Sequence, residues 1–535
     1  MIEHDAAIVG SGFGGSVAAL RLAERGSRVV VLEQGRRVTP SDLEATQRSL
    51  RALLWEPSLG LFGIFQQRIL RHLGVVAGVG VGGGSLVYAA VLLEPPPEAF
   101  REPGWTRLGP DVAASLAPHY ATARRMLGAT PHPDHGTMDA QLLRAAKRLG
   151  RDATFGPVTS GIHLDAPHRR TPDPFLGGEG PDAIGCTRCS GCLAGCAVGA
   201  KNTLDRNYLF LAERRGAEIR PRHRVERIAP LDGGGYALEV RDPLTGARMP
   251  TVRAREVVLA AGVLGTVELL LRARDEHRTL PHLSNHLGHA VRTNSEAIVG
   301  VWNPDAPRDL AQGTTISSHF WVDAHTHATQ NRFPAAYRFM RFYAGPMIDD
   351  ASPRRRALRT LLALARHPGR HTAQWRDPRW NEHATILTVM QHLDSELTLR
   401  LSRSWRSGFR TALDTAVARR KAPPTYLPAA NRAARAYAEA NGGTPFNVLP
   451  ESALGLSITA HVLGGAVIGR DPSEGVVDLD HQAFGHPGLY VVDASALPGN
   501  VGVNPSLTIT AMAERWAARH AARDLASHER ARGAA

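Results

Sequence analysis

Cysteine and lysine are nearly missing from this chain. Its 535 residues include four cysteines, and only three of its 63 basic residues are lysines: Lys147, Lys201 and Lys421. Arginine supplies the rest, so the formal charge of +13 reflects genome composition as much as any acidic partner. The basic residues are dispersed, without the interleaved aromatics of a nucleic-acid surface, and no nucleic-acid partner is expected. No apolar run approaches the ~18 residues of a membrane-spanning helix. Met1-Ile2-Glu3-His4-Asp5 opens no basic and then apolar leader. The 53 glycines have no three-residue period, which excludes collagen. Repeats and low-complexity linkers are also lacking, and Arg530 to Ala535 is the only tail-like segment. These absences predict a soluble, cytoplasmic protein.

What is present is globular in composition, with 43% hydrophobic and 21% charged residues. At roughly 100–200 residues per domain, the length predicts several domains or one elaborated α/β body. All four cysteines fall in one window, Cys186, Cys189, Cys192 and Cys196. A reducing compartment argues against two short-range disulfides. The spacing C-x2-C-x2-C-x3-C is the bacterial ferredoxin run for iron–sulfur ligation, although Ala197 stands where that run has proline. The expected centre is a 4Fe–4S cluster, with tetrahedral zinc as the alternative.

The first 35 residues read as a β-α-β unit. Ala6–Val9 is a strand, Gly10-Ser11-Gly12-Phe13-Gly14-Gly15 a loop, Ser16–Ala23 a helix, and Val29–Leu32 a second strand ending at Glu33. Gly10, Gly12 and Gly15 between strand and helix, with an acid closing the next strand, form the dinucleotide fingerprint in its proper context. A pyrophosphate would lie at the helix N-terminus and Glu33 would take a ribose. A second glycine-rich loop runs from Gly78 to Ser85 and includes Gly82, Gly83 and Gly84. Between them, residues 50–75 form an interrupted apolar stretch that reads either as core or as a lid over a hydrophobic site. Beyond the cysteines, a helix is expected over 203–215 and strands at Glu218–Arg220, Val225–Ile228, Tyr236–Val240 and Glu256–Gly262. Residues 351–376 carry seven arginines around leucines. They read as a solvated basic helix, or as a contact with an anionic membrane surface. Near the C-terminus, His461 precedes Gly464-Gly465, and Asn504-Pro505 stand as N-cap and first residue of a helix.

Taken together, these segments resemble the glucose–methanol–choline (GMC) flavoprotein oxidoreductases, in particular their cholesterol-oxidase-like branch. The resemblance runs in order through Gly10–Gly15 with Glu33, Gly80–Ser85, the cysteine segment to Leu209, Val389-Met390-Gln391, His461–Gly465 and Asp493–Glu514. It implies an α/β fold: a Rossmann-like FAD-binding domain of discontinuous segments, plus a substrate domain with an antiparallel sheet. The expected division is 1–40, 205–295 and 470–535 for FAD, and 41–204 and 296–469 for substrate, the latter including the cysteine cluster at 186–196.

The resemblance also implies oxidation of a bulky, sterol-like alcohol by hydride transfer to flavin N5. By position, Gly10, Gly12, Gly15 and Glu33 hold the ADP half of FAD, and Gly82, Gly83, Gly84 and Ser85 line the flavin. Val225 gives a backbone adenine contact, Asp493 neighbours the ribityl or pyrophosphate, and Asn504-Pro505 lie at the flavin edge. His461 and Asn504 match the active-site pair, although Val462 stands where the motif often has proline. Neutral histidine suits removal of the hydroxyl proton near pH 7, and the helix after Pro505 would stabilise negative charge on reduced flavin. For the glutamate base of some sterol oxidases, Glu296 and Glu396 lie in candidate segments. Members with covalent flavin carry histidine just before the GGGS-type segment. Val81 occupies that place here, so non-covalent FAD is expected. The partners implied are the alcohol, an acceptor protein or quinone, and a peripheral membrane surface. Two other readings remain at this stage: an electron-transfer iron–sulfur flavoprotein, and non-redox chemistry on the same scaffold.

Overall fold

The computed structural model describes residues 2–133, 135–393, 395–417 and 423–533, so Lys421 and the end of the tail lie outside the described residues. Two seven-stranded sheets organise the chain. The first follows the order Glu218–Pro221, Val29–Glu33, His4–Val9, Arg248–Leu259, Tyr236–Arg241, Arg224–Pro230, with Leu489–Val491 also pairing Arg248–Leu259. That twelve-residue strand does two jobs. Its first half pairs antiparallel with Tyr236–Arg241, and its apolar second half pairs parallel with His4–Val9 and Leu489–Val491. Ala7, Ile8, Val30, Val31, Val257 and Val258 are fully buried, as a sheet covered on both faces requires.

The second sheet is antiparallel throughout, in the order Ala344–Pro346, Thr444–Val448, Ala297–Trp302, Ala384–Gln391, Thr326–Asn331, Ser318–Asp323, Gly156–Pro157. Period-two alternation separates its faces. Val299, Val301, Leu387 and Val389 pack under helices Thr137–Arg148 and Pro428–Asn441. Ile298, Ile386 and Phe446 face the other way, against Leu53, Ile64, Phe65, Leu86, Tyr337 and Trp380. The apolar stretch at 50–75 is therefore largely wall rather than lid, with Leu53 and Ile64 buried and only Leu59 and Ile69 strongly exposed.

Several local expectations shift. Only Tyr208–Arg214 is α-helical within 203–215, because the Asn207 side chain accepts the Tyr208 N–H and starts the helix late. The tail-like end continues the last helix, Ser506–Gly533, as its alanine- and arginine-rich composition favours. The first core also takes in Leu92, Trp105, Leu116 and Tyr120, from the stretch expected in the substrate part. Helix Val112–Met126 packs on the C-terminal helix, with Tyr120 and Thr508 hydroxyls 2.8 Å apart.

Candidate active site

The two glycine loops meet through one serine. Ser11 donates from N (3.2 Å) and from Oγ (2.7 Å) to Glu33 Oε2, and its Oγ accepts the Gly82 N–H at 3.1 Å. Glu33 Oε1 accepts Gly35 N at 2.8 Å, so this carboxylate organises its own loops as well as facing the expected ribose. Burial raises the Glu33 pKa, against the lowering effect of these hydrogen bonds. Gly10 has φ +98°, and a Cβ on Gly14 would lie 1.7 Å from the Val492 carbonyl oxygen. At Gly12, the residue capping helix Phe13–Ala23, a Cβ would meet nothing within 4 Å. Open space in front of unpaired helix N–H groups fits a pyrophosphate.

The other expected cofactor residues lie around these loops. Val225 is in the strand next to His223, whose N–H reaches the Glu33 carbonyl at 2.8 Å. Ser85 Oγ donates to Gly82 O and accepts Leu204 N, which closes the second loop on itself. Asp493 accepts Gly262 N at 2.8 Å, Thr266 Oγ at 2.6 Å and both Ser495 donors, so its carboxylate is already engaged by protein.

His461 is placed by pairings remote in sequence. Strand Ser457–Thr459 pairs parallel with Leu73–Val75, Thr459 Oγ accepts the His461 N–H at 2.9 Å, and Leu463 pairs with Arg292. Gly464 and Gly465, at φ +81° and +94°, turn the chain away where a Cβ on Gly464 would strike Ala290 O. The imidazole Nδ1 hydrogen-bonds Glu296 Oε1, and Nε2 lies 3.4 Å from Asn504 Nδ2. A carboxylate facing Nδ1 makes that nitrogen the proton carrier and leaves Nε2 with a lone pair. Glu296 is thus the glutamate at the histidine, whereas Glu396 sits within electrostatic reach of His286. Glu451, which sequence reasoning missed, accepts Ile298 N at 3.2 Å. Burial first, and the neighbouring Glu296 charge after it, push the Glu451 pKa up to about 8.

The C-terminal helix starts at Ser506, and the Pro505 carbonyl accepts Ile509 N at 2.8 Å. Asn504 therefore stands just ahead of the helix, with its side chain toward His461. Its Oδ1 is buried without a hydrogen-bond partner among the described residues. An orphaned amide oxygen beside His461, together with the open space at Gly12, fits a bound dinucleotide with a polar ring edge.

All four cysteines are free thiols and line one small cavity with Ile162, Ala200 and Lys201. Among the described residues, no three His, Cys, Asp or Glu side chains are set to hold a metal ion. Side-chain geometry among these residues therefore shows neither a zinc site nor an iron–sulfur site.

Comparison with known proteins gives the family of the chain. Family models described as GMC oxidoreductase match residues 180–287 and 382–513, and an NAD(P)-binding Rossmann-like domain model matches 8–41. A cholesterol oxidase of Mycobacterium tuberculosis is 40% identical over 532 residues, covering 96% of this chain and 90% of that protein. A cholesterol oxidase of Acinetobacter baumannii is 36% identical over 524 residues, covering 96% and 93% respectively. The crystal structure of pyridoxine 4-oxidase from Mesorbium loti shares the fold, with TM-score 0.62 and 18% identity over 97% of this chain and 99% of that one.

Proposed function

The chain belongs to the GMC oxidoreductase family and is an FAD-dependent alcohol oxidoreductase, and from that premise we propose that its substrate is a bulky, sterol-like alcohol with His461 as base. The observation that carries the reading is the Glu296–His461–Asn504 chain. FAD, when bound, supplies the hydride acceptor, its N5. His461 Nε2 takes the hydroxyl proton, so that negative charge builds on the alcohol oxygen as the carbon gives up hydride. Glu296 holds the ring in the tautomer with Nε2 free, and stabilises the positive charge that the ring gains. Asn504 orients the oxygen. The buried first turn of the C-terminal helix directs its dipole toward this place. In the same reading, electrons leave by way of the four-cysteine pocket toward an acceptor protein or quinone.

Anaerobic titration of the FAD-loaded protein with sterols and long-chain alcohols tests this. Flavin absorbance near 450 nm (approximately the usual oxidised-flavin band) should bleach with a bulky hydrophobic alcohol, in line with transfer of reducing equivalents to the cofactor. A flavin that stays oxidised with every such alcohol would remove the assignment.

Two further results are expected. Acid precipitation should release FAD into the supernatant, since buried Val81 stands where an attachment histidine would be. Yellow colour kept in the pellet would contradict non-covalent binding. The second concerns helix Pro353–Arg366, which exposes Leu358, Leu361 and Leu362 beside Arg355 and Arg359, two guanidinium groups that share the single Asp350 carboxylate and so keep a net positive charge. Among the described residues no helix is long and apolar enough to cross a membrane. A surface pairing apolar and cationic side chains suits shallow contact with anionic lipid. The protein should float with anionic vesicles and release at high salt, and Leu361→Asp should weaken flotation. Equal flotation of wild type and variant would remove this surface from the reading.

A further inference from the structure

We infer that the cavity enclosed by Cys186, Cys189, Cys192 and Cys196 is the binding site of a 4Fe–4S cluster, and that Lys201 is its built-in counter-charge. The cluster site stands apart from the alcohol reading; only the electron path through it rests on that reading.

Four thiols face one cavity and none is paired in a disulfide. The loop that carries them is pinned from several sides. Gly313 N donates to Arg188 O and Ser190 N to Gly313 O, both at 2.9 Å; Thr315 Oγ bonds Ser190 O; Gln47 bonds Gly195 O; and the Tyr337 hydroxyl bonds Leu193 O. Arg188 and Ser190, neither of them glycine, are held at φ +54° and +55°, which curls the chain around the cavity. Strain of that kind persists where the surroundings over-determine it. The Arg188 N–H points at Cys186 Sγ and the Lys201 N–H at Cys196 Sγ, each at 3.4 Å. Cys192 receives a further backbone N–H, from Thr315. Amides aimed at sulfur stabilise negative charge on thiolates, and such hydrogen bonds tune cluster potentials.

A single ion and a cluster make different demands on four thiols. One zinc ion draws four sulfurs to ~2.3 Å from a common centre. A cubane keeps its thiolates apart, each on a different iron. Four thiols lining one cavity supply one thiolate for each iron of a cubane.

Lys201 is the independent observation. It is 1% exposed, and its Nζ donates to three backbone carbonyls: Leu86 O at 2.9 Å, Tyr88 O at 3.1 Å and Cys192 O at 2.7 Å. Its hydrogen bonds are satisfied, and no carboxylate forms an ion pair with it among the described residues, the buried Asp205 lying only within electrostatic reach beside the Cys192 and Cys196 sulfurs. A buried cation needs a compensating negative charge nearby. A four-thiolate cluster carries net negative charge and would lie against it. The lysine also links two sites, because Leu86 closes the glycine loop that faces the flavin position. On the opposite side Cys189 is exposed. A one-electron centre here would take the two electrons of each alcohol oxidised, one at a time, and deliver them at the surface to a quinone, which gains two electrons and two protons.

The test uses the full chain purified anaerobically. Iron and acid-labile sulfide should each reach about four per chain, as for a four-thiolate cubane, and dithionite should produce a paramagnetic signal. Cys189→Ala, at an exposed position, should lower iron to about three or fewer per chain while FAD stays at the wild-type level. Zinc at about one per chain without iron, or neither metal in FAD-loaded protein, would overturn the inference, as would iron unchanged in Cys189→Ala. Iron and sulfide at full level in a protein whose flavin no alcohol bleaches would uphold the cluster and remove only the alcohol assignment.

Discussion

Replacing His461 with alanine should slow alcohol-dependent flavin reduction by roughly 10²–10⁴-fold, the usual loss when a positioned base is removed. The imidazole hydrogen-bonds Glu296 and Asn504, while the backbone N–H reaches Thr459 Oγ1, and none of these partners is a glycine of 10–15 or 82–84. FAD content should therefore stay at the wild-type level. The variant also leaves Glu296, a buried carboxylate, without its partner. His461→Gln keeps a side-chain donor near that position and separates loss of the base from loss of the pair. Both variants should be slow if proton removal is the function, whereas only the alanine variant should suffer if His461 merely neutralises Glu296. Rapid-mixing measurement of flavin bleaching distinguishes these outcomes. A wild-type rate in both, with a verified substrate, would take the base assignment away from His461.

Asp139→Ala should be the most destabilising single change outside the site, at about 3–5 kcal/mol, the cost of stranding one half of a buried ion pair. Asp139 and Arg332 are each 1% exposed and meet at 2.8 Å. Ser317 Oγ, Ser318 Oγ, Gln330 Nε2 and Gly136 N also donate to the Asp139 carboxylate, at 2.5–2.8 Å. This one group joins helix Thr137–Arg148 to the antiparallel sheet that walls the site. Removing it leaves the buried Arg332 charge without its carboxylate and three polar side chains each short of one acceptor. The same group sets an acid limb. Burial alone would raise the Asp139 pKa, but Arg332 and the hydroxyl and amide donors outweigh it and hold the carboxyl below its usual range. A depressed carboxylate contributes stability that is fully present above the unfolded pKa of ~3.9 and is lost as pH falls through the lower folded value. Urea midpoints should fall with pH over that range in the wild type, and more shallowly in Asp139→Asn. Equal midpoints for wild type and Asp139→Ala at neutral pH would show that this pair does not hold the sheet to its helix.

Much of the nucleotide-binding body was legible in the residues themselves. The turn at Gly10–Gly15, the strands on either side of it and the buried strand ending near Gly262 are local patterns: a run of β-branched residues, then glycines, then a helix former. The fold class follows from that order, and so does the position of Glu33. Less legible was how much chain the first core would recruit. Leu92, Trp105 and Leu116 carry no mark saying which of two sheets they will cover. The stretch at 50–75 was ambiguous for the same reason, since an apolar segment looks alike whether it closes over a ligand or packs into a wall.

The sequence by itself determined the dinucleotide turn, the cysteine spacing and the ordered motifs that mark the family, because each is a short run of neighbouring residues whose pattern is local to the backbone. The tertiary structure alone decided who meets whom. Glu296 reaches His461 across 165 positions, and Lys201 reaches Leu86 across 115. Neither partner is marked by periodicity or spacing. Each contact exists because two sheets and a returning strand bring those segments together, and because a charged side chain, once buried there, has to find an oppositely charged or hydrogen-bonding partner.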